Sequence, residues 1–188
     1  MRNFIFILAI LTTHSALAEV KVSYNDEITP KSLTKLEENI KKAASKIKAG
    51  EERKVVIDLG SGGGNLYAAL SFVGRINEIS SKNNVVIDTR VRSSCESSCT
   101  ILFTAGNQRR AGRFAQFGFH SPAIASKVPK GMDRKVILEE ARRVWLDAVS
   151  AVDPTLTGIL IKRKLLLDDE MTYLSRGELG TGYVTDRE

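Results

Sequence analysis

Short apolar runs alternate along the chain with amphipathic stretches. Leu33, Leu36, Ile40, Ala44 and Ile47 recur at three- and four-residue steps, which predicts a helix over residues 32–48. Lys54-Val-Val-Ile-Asp-Leu59 predicts a short buried strand, and Gly60-Ser-Gly-Gly-Gly64 a turn after it. A second helix is expected over 66–79 and a second strand over 84–91. Residues 97–105 predict a short apolar helix ended by Gly106. Residues 112–120 look extended and turn-rich. A long helix is expected over 133–152, closed by Asp153-Pro154, with another over 155–166. Strand, loop, helix, strand, helix is the order of an α/β protein with a parallel sheet and right-handed crossovers.

The first residues follow a different pattern. Met1-Arg2-Asn3 is a short positive start, residues 4–11 are unbroken apolar, and Ala16-Leu17-Ala18 is a small-x-small cleavage signal. This predicts an export signal over 1–18 and a mature chain from about Glu19. A spanning helix needs roughly 20 apolar residues, so no membrane anchor is expected after cleavage. The expectation is one domain over 19–188, periplasmic or secreted. Formal net charge is +6, spread over sites such as Lys41-Lys42, Arg109-Arg110 and Lys162-Arg163-Lys164. Aromatic residues do not interleave with these charges, so solvated faces are expected rather than a nucleic-acid groove. Cys95 and Cys99 are the only cysteines. In an exported protein such a close pair favours a disulfide; two buried thiols is the alternative. One helical turn would separate the Cα atoms by about 6 Å, within bridging range. So small a loop contributes only about 2 kcal/mol, so a bridge would mainly shape the local turn.

Three segments carry candidate chemistry. The glycine loop follows a strand and opens a helix, so its N–H groups suit a phosphate or an oxyanion. Asp58-Leu-Gly-Ser-Gly-Gly-Gly64 also resembles the D-x-G-x-G-x-G loop of S-adenosylmethionine-dependent methyltransferases, with Asp88 as the ribose-binding acid. That reading leaves most of the chain unexplained, and an exported enzyme has no ready supply of the cofactor. The second segment is Ser93-Ser-Cys-Glu-Ser-Ser-Cys-Thr100, where a serine either caps a helix or acts as a nucleophile at its start. The third is Gly118-Phe-His-Ser-Pro122. His14 leaves with the signal, so any imidazole base must be His120.

In order, the three segments resemble the Clp-type serine proteases of the Clp/crotonase superfamily. Ser61-Gly-Gly-Gly64 stands in the place of that family's Ser-Pro-Gly-Gly loop. Ser97-Ser98-Cys99-Thr100, running on to Ala105-Gly106, looks like its nucleophile segment, and Phe119-His120-Ser121-Pro122 like its histidine segment. The tail from Tyr173 to Thr185 is similar to its closing segment. The resemblance implies a repeated β-β-α spiral fold with a mostly parallel sheet and flanking helices. It implies Ser97 as nucleophile, His120 as base, and the N–H groups of Gly63 and Ser98 as oxyanion donors. It further implies a peptide or protein substrate, no cofactor or metal, and assembly of several copies.

The sequence departs from the pattern at instructive places. Gly62 replaces the proline, and Cys99 the glycine after the nucleophile, so a Cys95–Cys99 bridge would clamp the turn around Ser97. Met171 falls where the family has its aspartate; Asp169 and Asp168 lie two and three residues away, and Asp169 is the expected acid. No partnership with an ATP-driven unfoldase is expected outside the cytoplasm. The expectation is a serine hydrolase, most simply a peptidase, with a catalytically silent peptide- or protein-binding domain as the alternative.

Overall fold

The computed structural model describes residues 17–48, 52–124, 128 and 130–187. Most of the expected export signal lies outside the described residues. The first described element is strand β1 (Leu17–Tyr24), so Leu17 and Ala18, the last residues of the expected signal, lie in a strand. Helix α1 (Pro30–Ala44) follows, then β2 (Glu52–Leu59), α2 (Leu66–Asn83) and β3 (Val86–Val91). Next come β4 (Ser94–Glu96), α3 (Cys99–Phe103), β5 (Arg109–Ala111) and β6 (Gln116–Phe119). The remainder is α4 (Arg134–Ser150), α5 (Pro154–Lys162), β7 (Thr172–Ser175) and β8 (Asp186–Arg187).

Two sheets result. The larger has the order β1-β2-β3-β5-β8, and every pair in it is parallel. The smaller has the order β4-β6-β7, with β4 parallel and β7 antiparallel to β6. Val55, Ile57 and Leu59 of β2 turn into the apolar core with Ile87 and Val91 of β3. The alternate positions form a charged lattice. Arg110 binds Glu19 at 2.8 Å and Asp88 at 3.0 Å, Lys54 lies 3.7 Å from Asp88, and Arg90 holds Asp58 through two nitrogens. Burying charge is tolerable there because each acid has a cation.

Element ends differ from the sequence reading for local reasons. α1 starts at Pro30 because Thr29 caps it, in a reciprocal pair with Ser32. It stops at Ala44, and Ile47 folds back into the core as non-helical chain. α2 runs on to Asn83, where Asn84 adopts φ +48° and ends it, so Asn84 belongs to a helix cap rather than a strand. β1, β7 and β8 lie in stretches too polar or too short to announce strands. The closing segment is nonetheless structural: Leu179, Tyr183 and Val184 are buried. Tyr183 packs against Phe103 and Phe117, with centroids 5.2 and 5.6 Å away, and its hydroxyl donates to the Thr100 carbonyl at 2.6 Å. Burial pushes this phenol's pKa up, so it stays a donor. The tail thereby fixes α3, the helix that follows Ser97.

Candidate active site

Ser97 sits between the end of β4 and the start of α3, and its backbone has φ +52°. A serine with a side chain pays for this left-handed conformation, and such strain gathers at functional turns. Several contacts impose it. The Ser97 N–H donates to the Gly118 carbonyl at 2.8 Å, and the Glu96 N–H to the Ser61 carbonyl at 3.0 Å. On the far side, Thr100 returns both its N–H (2.9 Å) and its hydroxyl (2.7 Å) to the Ser97 carbonyl. Cys95 and Cys99 are joined by a disulfide with Cα atoms 5.3 Å apart. The bridge therefore runs from strand to helix across the Ser97 turn, not along one helical turn. No serine of the cluster caps α3 through its side chain. Ser98 occupies the cap position without a cap bond, and its buried hydroxyl has no partner among the described residues.

The glycine loop lies directly over this turn. A methyl carbon built on Gly63 would sit 2.6 Å from Ser97 Cβ and 3.2 Å from its Oγ, so only glycine admits the serine this closely. Gly63 has φ +101°, a conformation that L side chains rarely adopt. Gly64 is paired to Ile28, so part of the glycine run is accounted for by packing. The Gly63 N–H itself donates to Ser61 Oγ at 3.1 Å, within its own loop. The N–H groups of Gly64 and Ser98 have no hydrogen-bond acceptor among the described residues. A free donor thus remains at Ser98, next to the serine, and another at Gly64 in the glycine loop.

His120 follows the last residue of β6 and is half-buried. Its ring meets the edge of the buried Trp145 of α4, with centroids 6.4 Å apart. Among the described residues no hydrogen bond joins it to Ser97 Oγ or to a carboxylate. The β6–β7 register pairs Gly118 with Tyr173 and Phe119 with Thr172, so its continuation sets Met171 opposite His120. Asp169 is exposed and makes no hydrogen bond or ion pair among the described residues. Asp168 touches the histidine segment only through its backbone, accepting from the Ser121 N–H at 2.6 Å.

A scan against protein-family models and a search of curated proteins by sequence both find no match. Solved structures do match. A ClpP1 point mutant from Listeria monocytogenes is similar over 89% of this chain and 90% of that one, with a TM-score of 0.61 and 15% identity. The ClpP protease catalytic domain from Plasmodium falciparum is similar over 89% and 84%, with a TM-score of 0.63 and 15% identity. The chain has a Clp-like fold.

Within this Clp-like frame the other ligand site considered from the sequence is closed. Asp88 is fully buried, bound by Arg110 and Lys54, and accepts from the Gln108 N–H at 3.0 Å, so it cannot reach a ribose. Two residues beside Ser97 escaped sequence reasoning. Glu96 and Tyr173 are hydrogen-bonded, Tyr173 Oη donating to Glu96 Oε1 at 2.9 Å. That contact raises the Tyr173 pKa, because the phenol proton is held by the carboxylate. Glu96 adjoins Ser97 in sequence, which was a signal. Tyr173 lies 77 positions from Glu96 and gave none.

Proposed function

We propose that this chain is an exported serine hydrolase acting on peptides, with Ser97 as nucleophile and His120 as base. The observation that carries the reading is the left-handed backbone of Ser97 on a strand-to-helix turn pressed against a glycine loop. A capping or packing serine has no need of that strain. In the proposed reaction Ser97 Oγ attacks a peptide carbonyl carbon as His120 takes its proton. The imidazolium then gives this proton to the departing amine, leaving an acyl-enzyme that water hydrolyses by the reverse relay. The carbonyl oxygen gains negative charge in the first step. The free N–H group of Ser98 is suited to it, and Gly63, which lies against Ser97, joins it if its bond to Ser61 opens. A dyad fits the surroundings of His120 better than a triad, because Met171 fills the expected acid position and Asp169 is solvated. Export over residues 1–18 and assembly of copies belong to the same reading.

The test is covalent labelling of the purified chain by a fluorophosphonate. Wild type is expected to gain one adduct on Ser97, and both Ser97→Ala and His120→Ala to stay unmodified. A wild-type chain that is folded and never modified ends the hydrolase reading. Met171 favours a second reading, a silent site that holds an extended peptide as an added strand. It would bind peptides equally well with Ser97 or Ala at this position, without turnover.

A further inference from the structure

Glu96 is the ionisable side chain next to Ser97 whose chemistry the proposed reaction leaves unused. Glu96, Gly118 and Tyr173 form one row across the small sheet, since β4 pairs Glu96 with Gly118 and β7 pairs Tyr173 with Gly118. Strand alternation puts His120, two residues past Gly118, on the same face. The opposite face carries Cys95, Phe117 and Leu174, all fully buried in the core. The Glu96 stem lies flat across β6 because Gly118 has no side chain: a methyl carbon there would fall 3.0 Å from Glu96 Cγ and 2.7 Å from Met171 Sδ. The carboxylate is then held between two walls. Tyr173 Oη binds Oε1, and Oε2 lies 3.8 Å from where Gly62 would carry a methyl carbon. Glu19, Asp58 and Asp88 on the large sheet each have a cation. Glu96 is half-buried and has no Lys or Arg within ion-pair distance among the described residues.

We infer that Glu96, oriented by Tyr173, is a specificity carboxylate that receives a cationic group of the bound peptide beside the reacting carbonyl. The substrate class is therefore peptides with arginine or lysine near the point of attack. This deepens the peptide-hydrolase reading and rests on it, yet it concerns binding and can be read without turnover. A cation placed there gains a charge-assisted hydrogen bond to a carboxylate already oriented by Tyr173. The excess positive charge of the chain works against basic ligands elsewhere on its surface, so the preference should be local to this row.

The experiment measures fluorescence anisotropy of peptides on the purified full chain carrying Ser97→Ala. One peptide has a central arginine with both ends capped. A second replaces it by citrulline, its neutral isostere, and a third is the citrulline peptide with a free amino terminus. The arginine peptide is expected to bind about tenfold tighter than capped citrulline, as a charge-assisted hydrogen bond implies. Glu96→Gln should abolish the difference and Tyr173→Phe should shrink it, with far-UV circular dichroism unchanged. Tighter binding of the third peptide alone would assign the site to a terminal amine and overturn the side-chain inference. Equal binding of arginine and citrulline peptides, no binding of either, or a preference that survives Glu96→Gln, each overturns it as well. Should Glu96→Gln fail to fold, the arginine–citrulline comparison on Tyr173→Phe decides. Fluorophosphonate labelling of wild type, run beside it, reports separately on the hydrolase reading.

Discussion

The two halves of the candidate site are built to different standards. The Ser97 half is overdetermined: a disulfide, two strand contacts, two bonds from Thr100 and a closely apposed glycine hold one strained residue in place. The His120 half is loosely held. Its ring packs against Trp145 but has no hydrogen bond among the described residues, and the register sets the Met171 thioether across the strand. A nucleophile needs a fixed position against its oxyanion donors, and backbone geometry supplies that. An imidazole needs a partner to set its tautomer and angle, and only a side chain supplies it. In this chain the backbone supplies the first requirement at Ser97, and no side chain among the described residues supplies the second at His120.

The comparison can be broken or sharpened by substitution. Ser97→Ala should have the largest effect, a fall in hydrolysis of at least about 10³-fold, read by peptide turnover. Undiminished turnover would move the chemistry elsewhere. Gly63→Ala should follow. The new methyl must push into Ser97 from a backbone at φ +101°, costing about 3 kcal/mol in urea unfolding and most of the labelling. Met171→Asp tests the loose half and should act in the opposite direction. Placing a carboxylate across from His120 is expected to raise the labelling rate about tenfold. No gain would mean that His120 is not the base or does not face that position. Replacing both cysteines by serine should slow labelling about tenfold and cost only about 2 kcal/mol of stability, because the bridge closes a very short loop. Asp169→Asn should change the rate by less than about twofold, as befits an exposed carboxylate without a partner.

Legibility divided along the same physical lines. The α/β class followed from apolar runs such as Val55 to Leu59, which alternation or continuity makes visible. Ser97, His120 and the glycine loop could be picked out as segments in order, because each is a compact run of unusual residues. The third partner was not legible. Asp169 and Met171 differ by two positions, and only the β6–β7 register says which stands opposite His120. Nor did the sequence say which serine of the cluster takes the strained turn, since that is decided by the backbone angle.

Residue order alone determined that apolar segments with two periods alternate, that an export-like start precedes them, and that two cysteines bracket one serine. Those are local properties, set by neighbours along the chain. Tertiary structure decided that the bridge spans a strand and a helix, and that Asp88 is neutralised rather than offered to a ligand. It also decided that Glu96 meets Tyr173 and that Gly63 touches Ser97. Each depends on which strands pair and in what register. Register is selected by the whole core, whose burial outweighs any preference that a single segment carries.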